Sequence, residues 1–534
     1  MSRKEASRSL LCGVFVLGIG NLLVKLIGLV FKIPLSRVLG DEGMGYFNTG
    51  YTVYAWLFIV GCTGFPVAVS MLVSEAAETE GEDPRAGRRI LRSALTVLFF
   101  IGMLGFVFLS AFSRRVASWI GNPGSAATIR AIAPAVLFCS LSGGIRGYFQ
   151  GKKRMAPTAF SQLTEAVLKL VLGILFARHA LSAGYELPSV AAAAIRGVTV
   201  GTVASTFFLL CELLFERKRD PNKNKGRKRD QNRSDYGRLL LIAAPITLSA
   251  TVTSITGMID LAFVMRRLLA SGKTLSEATA VFGNYTTLAV PFFNLPGILI
   301  SPIATGIVPY VSADLARGDQ VTANERCKTA IRSAALLSVP AAMGLGLFGE
   351  RILSLFFVRA SAVAASPTLA VLSPGIVFLA LVTVTASILQ ARGRAGTTVL
   401  SMLFGAIVKT VVGYYLIGLP SVGVYGAAIG TVLCYGVAAF INLAVLAKEF
   451  SKPVAIGDLV RPVFPAALSF GMGFFLLRAF PISSDTVATF LLLGVSGALY
   501  FPLSFLSGSL KREDADALPF VGKITRRKRI RPKE

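Results

Sequence analysis

Gln150, Arg154, Thr158, Ser161, Leu163, Ala166, Lys169 and Gly173 form a pattern that returns 240 positions later as Gln390, Arg394, Thr398, Ser401, Leu403, Ala406, Lys409 and Gly413. The identities share one offset and lie in strongly apolar surroundings, so they mark a duplicated membrane unit. Two shorter matches agree: Val69-Ser70 with Val311-Ser312, and Arg92-Ser93-Ala94 with Arg332-Ser333-Ala334. Each copy also places a lysine deep in an apolar helix, where a charge is costly and usually functional.

Working outward, the 534 residues are 54% hydrophobic and only 16% charged. Apolar runs of 18 residues or more recur along the chain, each long enough to cross ~30 Å of hydrocarbon. The short alternating segments of a β-barrel are absent. The expected fold is an all-α polytopic membrane protein with fourteen transmembrane helices, running from 10–37 and 46–73 through 281–311 to 486–509. Six spans separate the matched positions, so the copies share one orientation and form parallel repeats about an axis along the membrane normal. The expected organisation is an N-lobe (1–216), a basic cytoplasmic linker (217–237), a C-lobe (238–450), an extra helix pair (451–510) and a basic cytoplasmic tail (511–534). The first span is too long for a removable signal peptide and reads as a retained anchor.

Most of the 55 Lys and Arg residues fall in segments that become cytoplasmic if the N-terminus is inside. The Arg217–Arg238 loop and the Arg526-Arg527-Lys528-Arg529 run are the richest. Both termini and the linker are therefore expected in the cytoplasm, with the chain spanning the cell membrane. The net charge of +27 sits where topology demands it, which argues against a nucleic-acid partner and for contact with anionic lipid headgroups. The six cysteines are scattered, with no C-x-x-C pair, and there is one histidine. Neither a metal site nor a disulfide framework is expected, and no cofactor is implied.

Charges within the spans carry the chemistry. Lys25 and Lys32 lie two turns apart on one face of the first span; Arg130 and Arg146 lie in the fourth, Glu165 and Lys169 in the fifth, Arg196 in the sixth, Asp260 and Arg266 in the seventh, Lys409 in the eleventh. Cations outnumber anions, and each unpaired one at mid-depth costs at least ~2.5–3.5 kcal/mol. Such an excess implies a water-filled, positively charged cavity that concentrates anions, with phosphate or pyrophosphate as the fitting guest. Glu165 and Lys169 stand i, i+4 and read as a structural ion pair. Arg130 reads as snorkelling outward, and Arg146 as obeying the positive-inside rule. Lys25 and Lys32 read as cavity lining, with Asp260 as their counter-ion. Gly405 stands four residues before Lys409, which makes Lys409 a better site candidate than Lys169. The eighth span carries Pro291, Pro296, Pro302 and Pro309 and is the candidate bent, moving element. With no P-loop and no external loop long enough for a catalytic domain, an enzyme is not expected.

At the motif level the chain resembles a known group. The residues are Phe31-Lys32-Ile33-Pro34-Leu35, Leu39-Gly40, Glu42 to Phe47, Pro66 to Ser70, Val73-Ser74-Glu75, Arg146 to Gly151, Met155, Pro157-Thr158-Ala159, Ser161-Gln162, Glu165 and Lys169. They look like the stage V sporulation protein B branch of the polysaccharide-exporter (MOP) superfamily, related to MurJ-type lipid II flippases, and the likeness covers nearly the whole chain. It implies two six-helix lobes plus a terminal pair, a cationic V-shaped cavity opening alternately to each side, and an undecaprenyl-pyrophosphate-linked peptidoglycan precursor as cargo. It also implies a lipid-tail groove beside the last two helices. Lys25 matches a cationic position of the family's first helix, and Lys32 falls one residue from a second. No basic residue lies between Tyr46 and Ser74 or between Tyr285 and Ser312, where MurJ-like proteins carry arginines.

The resulting expectation is a flippase for cell-wall or spore-cortex precursor, with Lys25, Lys32, Asp260, Lys409, Arg146, Arg196, Glu165 and Lys169 as substrate-binding candidates. Expected partners are the lipid-linked oligosaccharide pyrophosphate, membrane lipids and cell-wall synthesis proteins. The alternatives are a multidrug/cation antiporter of the same superfamily and an integral-membrane polymerase or ligase acting on lipid-linked sugars.

Overall fold

A computed structural model describes residues 3–79, 84–219, 233–449, 455–479 and 484–510. The basic stretch at 220–232 within the expected linker, and the whole tail at 511–534, lie outside the described residues. Every described element is helical, as backbone polar groups in hydrocarbon must be satisfied within their own segment. The described residues hold 12 helices long and apolar enough to cross a membrane, against the fourteen spans expected. Part of the difference is the stretch Gly20–Ala77, which counts once although it runs 58 residues. At 1.5 Å per residue that is about 87 Å of helix, far more than one crossing of ~30 Å needs.

The chain falls into two compact units, Met1–Gly283 and Asn284–Glu534. The first holds α1 (Arg3–Cys62), α2 (Gly64–Thr79), α3 (Pro84–Ile120), α4 (Ala126–Gly151), α5 (Ala156–Ser182), α6 (Leu187–Arg219), α7 (Arg233–Ala270) and nearly all of α8 (Leu275–Asn284). The long α1 is broken at Gly40, whose φ of 63° with ψ of -175° is a conformation open only to glycine. A second break falls at Thr63, inside the expected span 46–73. Pro66 has no N–H to offer the Cys62 carbonyl, so the helix restarts at Gly64. Close glycine contacts then set the packing. A Cβ on Gly64 would lie 2.4 Å from the Ala243 carbonyl oxygen, and one on Gly147 would lie 2.4 Å from that of Pro66. These contacts bring α7 and α4 onto α2, over a core of Val69, Leu72, Ala94, Leu98, Tyr148, Phe149 and Leu209. α7, placed by the sequence at the head of a second lobe, thus packs on α1, α2 and α3 inside the first unit.

The second unit begins with a π-helical turn, Tyr285–Ala289, then α9 (Val290–Asn294), α10 (Gly297–Ala316), α11 (Gln320–Ser354), α12 (Arg359–Leu372), α13 (Pro374–Ala391), α14 (Ala395–Ile417), α15 (Tyr425–Glu449), α16 (Ile456–Val460), α17 (Val463–Ala479) and α18 (Asp485–Leu506). The expected span 281–311 is therefore interrupted twice. Pro291 cannot donate to the Thr287 carbonyl, and the π-helical turn absorbs the mismatch. Pro296 ends α9, and α10 restarts after it with Pro302 and Pro309 inside.

The duplicated pattern folds the same way twice. The turn between α4 and α5 bonds Lys152 N to Tyr148 O, Lys153 N to Gln150 O and Arg154 N to Phe149 O. Between α13 and α14 the equivalents are Arg392 N to Ile388 O, Gly393 N to Gln390 O and Arg394 N to Leu389 O. Lys153 and Gly393 both take positive φ, 59° and 75°. Each turn is then locked to the end of the next-but-one helix. Lys152 reaches Glu216 at 2.5 Å and Arg154 reaches it at 3.8 Å, while Arg392 and Arg394 reach Glu449 at 2.9 and 2.8 Å. Burial pulls the Lys152 ammonium down, but its hydrogen bonds to Glu216 and Tyr148 more than offset this and hold it above the ordinary lysine value.

Candidate functional site

Arg146 makes three side-chain hydrogen bonds among the membrane-spanning helices. It lies on α4, 6% exposed, where Gly144 and Gly147 let neighbouring helices approach. Its Nη2 donates to Glu165 Oε2 and to Ser205 Oγ, each at 2.9 Å, and its Nε donates to Ser161 Oγ at 3.0 Å. Glu165 Oε1 accepts from Thr202 Oγ1 at 3.1 Å. Three helices, α4, α5 and α6, are thus joined by one ion pair flanked by the hydroxyls of Ser161, Thr202 and Ser205. Such a pair is costly to break from one side, because the remaining charge stays buried. Arg146 is not merely a loop-end cation obeying a topology rule.

This geometry overturns the expected Glu165–Lys169 pair. The i, i+4 spacing puts both side chains on one face of α5, but the Glu165 carboxylate is taken by Arg146 and Thr202. Lys169 turns instead to α1. Its Nζ donates to Tyr51 Oη at 3.0 Å and lies 4.2 Å from the centre of the Tyr51 ring and 5.3 Å from that of Phe31. An ammonium over an aromatic face is attracted by the ring quadrupole. The seat is rigid: Phe31 stands edge-on to Phe47, and Phe47 stacks on Tyr51 at an interplanar angle of 11°. A Cβ on Gly173 would come within 2.9 Å of the Phe31 ring, so glycine there lets α5 close on α1. Lys32 follows Phe31 on α1 and is half-buried.

The other candidates are dispersed. Lys25 and Arg196 are exposed, as is Arg130. Lys32 and Asp260 are half-buried in the first unit. Arg266 stacks over Trp119 at 5.6 Å. Lys409 belongs to the second unit, 2% exposed, with its stem 3.5 Å from the position a Cβ would take on Gly430 of α15. The structure therefore brings together Arg146 with Glu165, and Lys169 with Tyr51. Tyr51, Phe31, Ser161, Thr202 and Ser205 were not singled out by the sequence. One signal was available for the pair: at the 240-residue offset Arg146 and Glu165 become Ala386 and Gly405, so both charges are absent together. There α15 closes in, and a Cβ on Gly405 would lie 2.5 Å from the Cys434 carbonyl oxygen.

Known proteins share this architecture. The sequence matches the Polysaccharide biosynthesis protein family over residues 10–313 and the MatE family over residues 245–415. It is 23% identical to Stage V sporulation protein B of Bacillus subtilis (strain 168) over 97% of this chain and 99% of the relative. It is likewise 23% identical to Lipid II flippase MurJ of the same organism, over 96% of this chain and 98% of that protein. Among solved structures, Lipid II flippase MurJ in an inward closed conformation superposes with a TM-score of 0.72 at 14% identity, covering 92% of this chain and 98% of that one. An inward-facing multidrug resistance MATE family transporter of the MOP superfamily gives 0.67 at 16% identity, over 82% of this chain and 100% of that one. With its helical units, its internal duplication and a family match over more than half its length, this chain belongs to the Polysaccharide biosynthesis protein family of the MOP superfamily.

Proposed function

We propose that this protein is a flippase that carries an undecaprenyl-pyrophosphate-linked cell-wall or spore-cortex precursor from the inner to the outer leaflet of the cell membrane. The observation that carries the reading is the Lys169 ammonium on α5, held among membrane-spanning helices against Tyr51 and the Phe31 ring of α1, with Lys32 following Phe31 on the same helix. Charges at that depth are expensive, and a diphosphate headgroup is the partner that makes the expense useful through charge-assisted hydrogen bonds. Lys25, exposed on the same helix, would meet the headgroup on its way, and Asp260 would temper the field. Arg196 and the buried Lys409 stay as further candidate charges. Arg146 and Glu165 would serve the site indirectly, by fixing α4, α5 and α6. Relatives named as a lipid II flippase and a sporulation protein support this cargo class. In this reading the chain crosses the membrane fourteen times with both termini in the cytoplasm, and transport proceeds by alternating access without an enzymatic step.

A MatE match over residues 245–415 favours a second reading, antiport of cationic drugs. These lysines count against it, since they repel such cargo.

Reconstitution into liposomes with labelled lipid-linked precursor, scored by leaflet accessibility, tests the proposal. Wild-type protein should equilibrate the label across the bilayer. Lys32→Glu should insert normally and fail to do so. Full activity of the charge-reversed variant would overturn the assignment of Lys32.

A further inference from the structure

We infer that the outward face of α3 in the first unit is a docking surface for a transmembrane helix of a partner protein. That helix carries small residues against Phe100, Leu104 and Phe108, and a carboxylate at the Arg92 end. The inference does not depend on the transport reading above.

The 240-residue repeat places α3 on α11, with Arg92-Ser93-Ala94 on Arg332-Ser333-Ala334. The inward faces of the two helices then coincide. Leu98 and Ser338, Gly102 and Ala342, and Leu109 and Gly349 are buried in both units. Here each helix packs on its own unit, α3 on α4, α2 and α7, and α11 on α12, α13 and α10.

The outward faces differ. Phe99, Leu104 and Phe112 are exposed, while Val339, Gly344 and Ile352 at the same places are buried. Of the most apolar stretch of each helix, 17% is buried in α3 and 61% in α11. The terminal helix pair supplies the cover on α11. The Phe470 ring of α17 stands 2.9 Å from where a Cβ on Gly344 would lie, and Phe348 packs on Phe470 and Phe474. Tyr500 of α18 donates to the Leu336 carbonyl at 2.7 Å. The arginine of the repeat is met as well: Arg332 Nη1 lies 4.0 Å from Asp458 Oδ2 on α16. No described helix does the same for α3. Phe100 is 67% exposed and Leu104 73%. Arg92 is exposed too, and among the described residues no carboxylate stands within ion-pair distance of it.

The occupant follows from the chemistry of the face. In the second unit the recess lies on α11, at Gly344, and the rings come from α17. In the first unit the bulk stands on α3 itself, since Phe100, Leu104 and Phe108 follow one another four residues apart on one side. A helix that closes on them must therefore bring the recess, and Gly, Ala or Ser let helix backbones approach in lipid. Arg92 calls for the carboxylate that Asp458 gives Arg332. A second copy of this chain does not offer it, because a two-fold pairing of this face sets Arg92 against Arg92 at one depth.

The test uses full-length protein carrying a fluorophore, in phosphatidylcholine vesicles. The probe is a quencher-labelled synthetic transmembrane peptide, a leucine helix with alanine at every fourth position of one face and a glutamate at one end. Wild type should bind it at least about fivefold more tightly than the same peptide with lysine for glutamate, the scale of one interhelical polar contact in a bilayer. Arg92→Glu should reverse that preference, a gain that misfolding cannot produce. Leu104→Ala should weaken binding of the glutamate peptide, whereas Phe160→Ala, which removes an exposed ring on α5, should leave it unchanged. Equal binding of the two peptides by wild type, or a preference that Arg92→Glu does not move, overturns the inference. Failure to bind either peptide overturns it too, leaving the face to lipid. Quenching between copies of the protein that Leu104→Ala abolishes would give the face to a second copy, and would overturn it as well.

Discussion

Glu165 stands four residues before Lys169 on one face of α5, yet its carboxylate receives Arg146 Nη2 from α4 at 2.9 Å. A tertiary partner with a planar, fork-shaped donor set displaces the local one. Arg146 offers several donors in fixed directions, and Ser161 and Ser205 accept those Glu165 does not use. Lys169 is left to the aromatic seat on α1, so the exchange decides which cation lies beside the carboxylate and which lies over rings.

The exchange makes a quantitative prediction. Glu165→Gln should cost about 3–5 kcal/mol of stability, since it strands a buried guanidinium. Arg146→Ala with Glu165→Gly, the residues that the second repeat carries at the same places, should cost much less than the sum of the single changes. Urea or thermal unfolding in detergent measures both. Strict additivity would show that the two residues do not form a unit.

Lys153 occupies a left-handed position, φ 59°, where the second repeat has Gly393 at 75°. Lys153 is exposed, so its side chain contributes little packing. Lys153→Gly should stabilise the protein by up to about 1 kcal/mol, and Gly393→Lys should destabilise it by a similar amount. A drop in melting temperature for Lys153→Gly would show that its side chain outweighs the backbone strain.

Gly40 breaks α1 at φ 63° with nothing within 4 Å of where a Cβ would stand. Gly40→Ala therefore meets no clash, and its cost of about 1–3 kcal/mol is purely conformational. Asn, which tolerates the ordinary left-handed region, should not rescue it, because ψ is extended here. A wild-type melting temperature in Gly40→Ala would mean that α1 can be continuous through this point.

The lock between Lys152 and Glu216 has a defined pH dependence. The folded ammonium is held above the ordinary lysine value of 10.5. Its contribution is then complete below that value and is lost as pH rises through the raised one. The stability difference between wild type and Glu216→Gln should accordingly be constant from neutral pH to about 10 and shrink above it. Arg154, 3.8 Å from Glu216, should preserve a residue of the difference. A difference that grew with pH would mean the pair opposes folding.

Much of the architecture was legible in the residues. The 240-residue pattern located two turns that the structure builds with the same hydrogen bonds and the same left-handed residue, because a loop of fixed length between apolar helices has few solutions. Pro291 and Pro296 announced the broken helix, since a missing N–H acts locally. The packing of α7 was not legible. α7 packs on α1–α3 through Gly64 and Ala243, residues 179 positions apart. Arg146 and Glu165 stood out as charges within spans, but their pairing with each other did not.

By itself the sequence determined that this chain is a duplicated, helical membrane protein with an excess of cations in its spans, because hydropathy and proline act through the backbone wherever it lies. Only the tertiary structure decided which cation is neutralised and which is held over aromatic rings. Helical spacing proposes neighbours on one helix, but a buried charge goes to whichever partner satisfies the most of its hydrogen bonds, and for Glu165 that partner was on another helix.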